Sequence, residues 1–308
     1  MKGSSRLAIF PLLLVLGCGG STPAVETRAT DTERFHRILL DDGTDPNGLA
    51  WDESRRTLFV ADDHAPRVLV IINGVICQRL PLGDEGNPGA GGLVRLFDGS
   101  VAAVRYGQDD DGGITRLLPD EAVRPIAHLD RARHRLGIDA WGGDLYVGWY
   151  TGGHDAYTGG VERVSVSSGE ETEVLRDLGK VAGVAISGDF LYAADQSHDA
   201  IVRCELPDCA TRERIAELPR PDLMTAAPDG VFVSSGAGSV HAVSSTGTVT
   251  LLADDLGGEP RGLAFDEGSR RLFVAVHDPA AEHPRHAIVI VPLPEPAPAS
   301  DADAGTPP

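Results

Sequence analysis

Pro46-Asn-Gly-Leu-Ala-Trp-Asp-Glu-Ser-Arg-Arg-Thr-Leu-Phe-Val-Ala-Asp62 returns near the other end of the chain as Pro260-Arg-Gly-Leu-Ala-Phe-Asp-Glu-Gly-Ser-Arg-Arg-Leu-Phe-Val-Ala-Val276. The two copies align without a gap, placing Leu49 on Leu263, Trp51 on Phe265, Asp52 on Asp266 and Phe59 on Phe273. Weaker copies occupy residues 91–104, 136–149, 182–195 and 221–235. The motif glycine falls at 48, 92, 137, 183 and 262, with Leu223 in its place in the fifth copy. The resulting spacings of 44, 45, 46, 40 and 39 residues suit a repeating unit of four strands.

Each copy has the same internal order. A short apolar strand is followed by a turn and an alternating strand such as Thr57-Leu-Phe-Val-Ala61. After a variable loop come a third strand, Arg67-Val-Leu-Val-Ile-Ile72, an Asn73-Gly74 hairpin turn and a more polar fourth strand. No window beyond the N-terminal leader carries a sustained helical period. A single four-stranded blade cannot bury both of its faces, so six must stack radially. The expected fold is therefore all-β, a six-bladed β-propeller of four-stranded antiparallel blades. The sixth copy stops after His286-Ala-Ile-Val-Ile-Val291, one strand short. Arg37-Ile-Leu-Leu-Asp-Asp-Gly-Thr-Asp-Pro46 matches Val249-Thr-Leu-Leu-Ala-Asp-Asp-Leu-Gly-Gly-Glu-Pro260, a fourth strand leading into the next blade. An N-terminal strand is thus expected to complete the last blade.

Composition narrows the function classes. Among 308 residues, 46 acidic against 27 basic side chains give a formal charge of −19, which excludes a nucleic-acid partner. The longest apolar run, Leu7 to Leu16, is too short to span a bilayer. Together with Lys2 and Arg6 before it, this run reads as a secretory signal. Val15-Leu16-Gly17-Cys18 resembles the bacterial lipobox, which implies cleavage before Cys18 and lipid on its thiol. Gly19 is not the aspartate that marks retention at the inner membrane, so the expected address is the outer membrane, facing the periplasm or the cell surface. The expected organisation is a signal peptide over 1–17, a lipidated tether over 18–34, the propeller over 35–292 and a Pro/Ala/Asp tail over 293–308. A monomer is expected, held to the membrane through the Cys18 lipid.

In an oxidising envelope, Cys204 and Cys209, flanking Glu-Leu-Pro-Asp in a hairpin of blade 4, are expected to form a disulfide. A Cys-x4-Cys metal site would need further soft ligands, and none is near in sequence. Cys77 lies in an alternating strand with no evident partner and is expected to be buried and inert.

The repeat over 46–62 and 260–276 resembles the six-bladed propellers of the senescence-marker/gluconolactonase, NHL and YVTN-repeat families. The gluconolactonase resemblance implies that Asn47 binds a metal and that Asp222, in Pro-Asp-Leu, binds metal and serves as catalytic base in opening a lactone. Two departures stand against it. The Glu-Gly-Pro glutamate has no counterpart here, and the glycine after the aspartate is Leu223. Asp139 would be a third ligand, but by alignment it falls within a strand.

Independently of any family, the loops entering each inner strand and those following each second strand lie on one face of a propeller. They carry Asn47, Asp222 and Arg261, and then Asp62, Asp63, His64, residues 109–111, His154, Asp155, Asp195, His198, His277 and Asp278. Oxygen and imidazole donors from several blades suit a divalent cation such as Ca²⁺, or a transition metal. Two functions follow. One is an envelope lipoprotein that binds a small-molecule or protein ligand through an acidic top face. The other is a metal-dependent lactone hydrolase of gluconolactonase type.

Overall fold

The computed structural model describes residues 34–41, 43–83, 89–106, 112–153, 156–278 and 286–295. Strand β1 (His36–Leu39) precedes the blades. Blade 1 is β2 (Pro46–Asp52), β3 (Thr57–Asp62), β4 (Arg67–Ile72) and β5 (Val75–Pro81); blade 2 is β6 (Ala90–Arg95), β7 (Val101–Arg105), β8 (Gly113–Leu117) and β9 (Val123–Pro125). Blade 3 is β10 (His134–Trp141), β11 (Asp144–Gly153), β12 (Ala156–Ser165) and β13 (Glu171–Leu178); blade 4 is β14 (Val181–Ser187), β15 (Phe190–Asp195), β16 (Ala200–Glu205) and β17 (Arg212–Glu217). Blade 5 is β18 (Pro221–Ala227), β19 (Gly230–Ser235), β20 (Ser239–Val243) and β21 (Val249–Ala253). Blade 6 contains β22 (Glu259–Asp266), β23 (Arg271–His277) and β24 (Ala287–Pro292), and β1 pairs antiparallel with β24 as its outermost strand, His36 opposite Ile290. The one helical piece among the described residues is a single 3₁₀ turn, Gln196–His198. No described helix is long and apolar enough to cross a membrane.

Alternation along the strands explains why their apolar runs are nearly continuous. Leu58 and Val60 of β3 pack with Phe273 and Ala275 of blade 6, whereas Phe59 and Ala61 pack with Leu93 and Ala103 of blade 2. Equivalent clusters fill the junctions between blades 2 and 3, 3 and 4, 4 and 5, and 5 and 6. The core is therefore six inter-blade layers.

The motif glycines have a steric cause. A Cβ on Gly48 would sit 2.3 Å from the Gly91 carbonyl oxygen of the next blade, and one on Gly262 would sit 2.0 Å from that of Asn47. Gly92 meets Leu136, Gly137 meets Val184 and Gly183 meets Asp222 in the same way. At these five positions the inner strands thus approach backbone to backbone around the axis, a spacing that only glycine permits; blade 5 carries Leu223 there instead. The repeated aspartate does a second job at the opposite end of the strands. Asp52 binds Ser54 and the Arg55 amide, and it also reaches Arg95 of blade 2 at 2.7 Å. Burial pushes its carboxyl up, but these donors outweigh that and hold it below the usual aspartate value.

The expected Cys204–Cys209 disulfide is present, with Cα atoms 4.9 Å apart. The expectation for Cys77 is corrected. It lies half-buried on β5, a polar outermost strand that covers only one face, and no described cysteine is a free thiol. Cys18 lies outside the described residues.

Candidate functional site: the axial pocket

The first pairing of every blade carries the same irregularity. In blade 1 the register steps from Pro46 opposite Asp62 to Leu49 opposite Val60, so one extra residue is accommodated at Asn47–Gly48. The other five inner hairpins shift at the equivalent place. A bulge kinks the strand and re-aims a side chain. Here it creates two rings of six. Immediately before the motif glycine (or Leu223) stand Asn47, Gly91, Leu136, Ala182, Asp222 and Arg261; two residues earlier stand Asp45, Gly89, His134, Lys180, Arg220 and Glu259. Eight of these twelve, joined by Asp63, Tyr106 and Gln196, line a cavity of about 390 Å³ on the propeller axis. A larger cavity of about 780 Å³ on blade 2 has no carboxylate in its lining and offers no comparable chemistry.

Within the axial pocket the described charges balance rather than sum to an acidic surface. Among its described residues Asp63, Asp222 and Glu259 are matched by Lys180, Arg220 and Arg261. Most of these charges hold one another. Arg220 reaches Glu259 at 3.3 Å, and one nitrogen of Arg261 lies 3.3 Å from Asp45 and 3.4 Å from Asp63. Burial pushes the Asp63 carboxyl up, with Arg261 opposing.

Three groups are left over. The Asn47 side chain, the Asp222 carboxylate and the Lys180 ammonium make no hydrogen bond or ion pair with any described side chain. Burial pushes the Asp222 carboxyl up, and the charge of Lys180 is the strongest opposing influence. Burial likewise pulls the Lys180 ammonium below its ordinary value, with Asp222 pulling it back. Lys180 also lies 5.5 Å over the ring of Tyr150, whose hydroxyl meets that of Tyr106 at 2.6 Å. One wall is therefore aromatic and the other charged.

The remaining expected site residues divide sharply. Asp62 does not face the pocket. Its fully buried carboxylate accepts the amides of Asp45 and His64, each at 3.0 Å, and Arg67 at 2.6 Å. Asp195 accepts the Gly179 amide and meets His198 through Oδ2 alone, at 3.2 and 2.8 Å, while its buried Oδ1 has no hydrogen-bond partner among the described residues. His64 and His198 are exposed outside the pocket lining. In all of these the aspartate closes the turn after a second strand. Asp139 is not among the residues lining the axial pocket: its two oxygens accept the amides of Ala140 and Ile186, at 2.8 and 2.7 Å. It lines a separate cavity along the inner strands, and burial raises its pKa to about 6. His154, Asp155 and residues 109–111 lie outside the described residues.

On the rim, His277 bonds Asp45 at 2.8 Å through Nδ1 and stacks on His286 with ring centroids 4.8 Å apart. The Asp278 amide donates to His286 Nδ1 at 3.1 Å. Burial holds the His286 pKa below its ordinary value.

No family model matches the sequence, and no curated protein matches it. The fold does match solved structures. A gluconolactonase from Xanthomonas campestris superposes with a TM-score of 0.68 at 20% identity, over 84% of this chain and 89% of that one. Regucalcin from Agrobacterium tumefaciens, a calcium-binding protein, gives 0.65 at 16% identity, over 85% and 97%. A Staphylococcus aureus virginiamycin B lyase with quinupristin gives 0.59 at 16% identity, over 84% and 99%. The chain therefore shares the six-bladed propeller of gluconolactonase- and regucalcin-like proteins.

Proposed function

We propose that this chain is a small-molecule hydrolase of the gluconolactonase kind, acting on a polyhydroxylated cyclic ester in the axial pocket. The observation that carries the reading is the Asp222 carboxylate, half-buried at the pocket wall and facing the cavity without a hydrogen bond or ion pair to a described side chain. Leaving such a group unpaired costs stability, and a ligand or water that meets it recovers the cost. Asp222 accepts a proton from the water as its oxygen bonds to the lactone carbonyl carbon, and returns that proton to the ring oxygen as the acyl–oxygen bond breaks, giving the open hydroxy acid. The Lys180 ammonium stabilises the developing oxyanion, and Asn47 orients a hydroxyl of the ring. The face of Tyr106 covers the apolar side of the sugar ring.

A divalent ion on the axis, which the resemblance implies, does not fit the described donors. Asn47 and Asp222 supply two oxygens where Ca²⁺ takes six to eight. No group of three His, Cys, Asp or Glu ligands among the described residues includes Asp222, and three cations share the cavity. The proposed reaction therefore runs on the side chains alone. Hydrolysis of gluconolactone, followed by proton release, tests the reading. Asp222→Asn is expected to lower kcat by about 10²-fold or more. Because the Asp222 pKa is raised, the wild-type rate should fall with decreasing pH at values above those of an ordinary aspartate. Lactone binding without turnover would return the chain to a ligand-binding module.

Lipidation of Cys18 places this pocket on the outer membrane in the same proposal, supported by the lipobox-like Val15–Cys18 stretch. Cys18→Ala should leave unprocessed precursor or release soluble protein. A correctly cleaved variant that still sediments with membranes would remove the anchor from the reading.

A further inference from the structure

We propose that Asp45, His277 and His286 form a transition-metal site, suited to Zn²⁺, on the rim of the axial pocket where blade 6 meets blade 1. One ligand atom from each of the three lies within 4.8 Å of the other two. Asp45 stands in the loop entering β2, His277 ends β23 and His286 immediately precedes β24, so three separately anchored backbone segments bring the donors together. Tetrahedral Zn²⁺, with ligands about 2.0–2.2 Å away, needs donor atoms about 3.3–3.6 Å apart. Side-chain rotation of about an ångström closes that difference. Two imidazoles and one carboxylate select a borderline metal over Ca²⁺, which prefers oxygen alone. Three protein ligands also leave a coordination position open.

The surroundings accommodate the ion. Asp45 meets both His277 and Arg261 through Oδ1, and Oδ2 takes part in neither contact. Arg261 has a second anchor in Asp63 at 3.4 Å, which retains it when a metal takes Asp45. His286 is buried, while His277 and Asp45 are about one-fifth exposed, which gives the ion a way in. The metal thus sits beside the Asn47–Asp222 pair and not between its members.

Titration of the untagged full chain with Zn²⁺ by calorimetry, and with Co²⁺ by visible absorption, tests the site. One ion per chain is expected, with ligand-field bands for Co²⁺ and no competition from Ca²⁺. Asp45→Asn and His277→Ala should each weaken binding at least about tenfold, while Asp222→Asn leaves it unchanged. Asp45→Asn keeps the shape of the side chain, so an unaltered circular dichroism spectrum separates ligand loss from misfolding. Absence of saturable Zn²⁺ binding, or binding that survives Asp45→Asn and His277→Ala but fails in Asp222→Asn, overturns the proposal.

Discussion

Alanine at Gly48 or at Gly262 is expected to destabilise the propeller by about 3 kcal/mol, the upper end for overpacking a core, and to lower the melting temperature by roughly 10 °C. Neither glycine needs a left-handed backbone, since neither has a positive φ. The constraint is contact alone. At Gly48 the nearest atoms to a new Cβ are the Gly91 carbonyl oxygen at 2.3 Å and the Gly92 Cα at 2.6 Å; at Gly262 they are the Asn47 oxygen at 2.0 Å and the Gly48 Cα at 2.8 Å. All are main-chain atoms, so relief requires one inner strand to move away from the next. In a closed ring such a movement is shared by every junction and has no free edge into which to relax. Gly262→Ala presses directly on Asn47, so ligand binding in the axial pocket should weaken with stability. Gly142→Ala is the comparison: its φ is +61° but nothing lies within 4 Å of the new methyl. It should cost about 1 kcal/mol of backbone strain. Thermal unfolding followed by circular dichroism measures all three, and a Gly48→Ala melting curve that overlays the wild type would refute the contact argument.

The same geometry explains what the sequence disclosed and what it withheld. The blade repeat was legible because packing imposes it. Both faces of each sheet are covered, so Leu58, Phe59, Val60 and Ala61 must all be apolar, and in five of the six blades the inner strand carries glycine where backbones meet. Site residues are not imposed in that way. Asn47, Asp222 and Arg261 could be found because they adjoin the motif glycine, but the ring two residues earlier, with Asp45, Lys180, Arg220 and Glu259, went unread. Its signal was present. Lys180 is the one lysine besides Lys2 in a chain that otherwise uses arginine, and it holds the same register as Asp45. Adjacent aspartates illustrate the opposite limit. Asp62 and Asp63 have the same chemistry, yet successive residues at the end of β3 point to different sides. Asp62 closes its own turn and Asp63 reaches the pocket. His286 immediately precedes β24, a third strand, so no position directly after an inner or second strand signals it. The buried charges of blade 3 were equally invisible, since Arg135 and Glu162 lie on different strands, 27 residues apart.

Those charges carry the second large effect. Arg135→Met is expected to cost about 3–5 kcal/mol, the range for removing one partner of a buried ion pair. Arg135 and Glu162 are both fully buried, joined at 2.6 Å, and Arg135 also donates to the Asp130 carbonyl at 2.8 Å and to Glu171. Arg133 holds the other Glu162 oxygen at 2.5 Å, bonds Glu173 at 2.6 Å and covers the Trp149 ring at 4.0 Å. The network ties β10 to β12 and β13 through side chains. Burial pushes the Glu162 carboxyl above its ordinary value, with the Arg135 and Arg133 guanidiniums opposing. The sign of that balance means the charge itself is costly to bury, and its partners are what make it tolerable. Removing one partner leaves that cost uncompensated, whereas removing both removes most of the cost. Arg135→Met combined with Glu162→Leu should therefore be destabilised by much less than the two single variants added together, a coupling of about 1–3 kcal/mol. Urea unfolding of the four members of this cycle measures it. Strict additivity would mean that each charge is satisfied by its other neighbours, and that the ion pair at the centre of blade 3 contributes no coupling of its own.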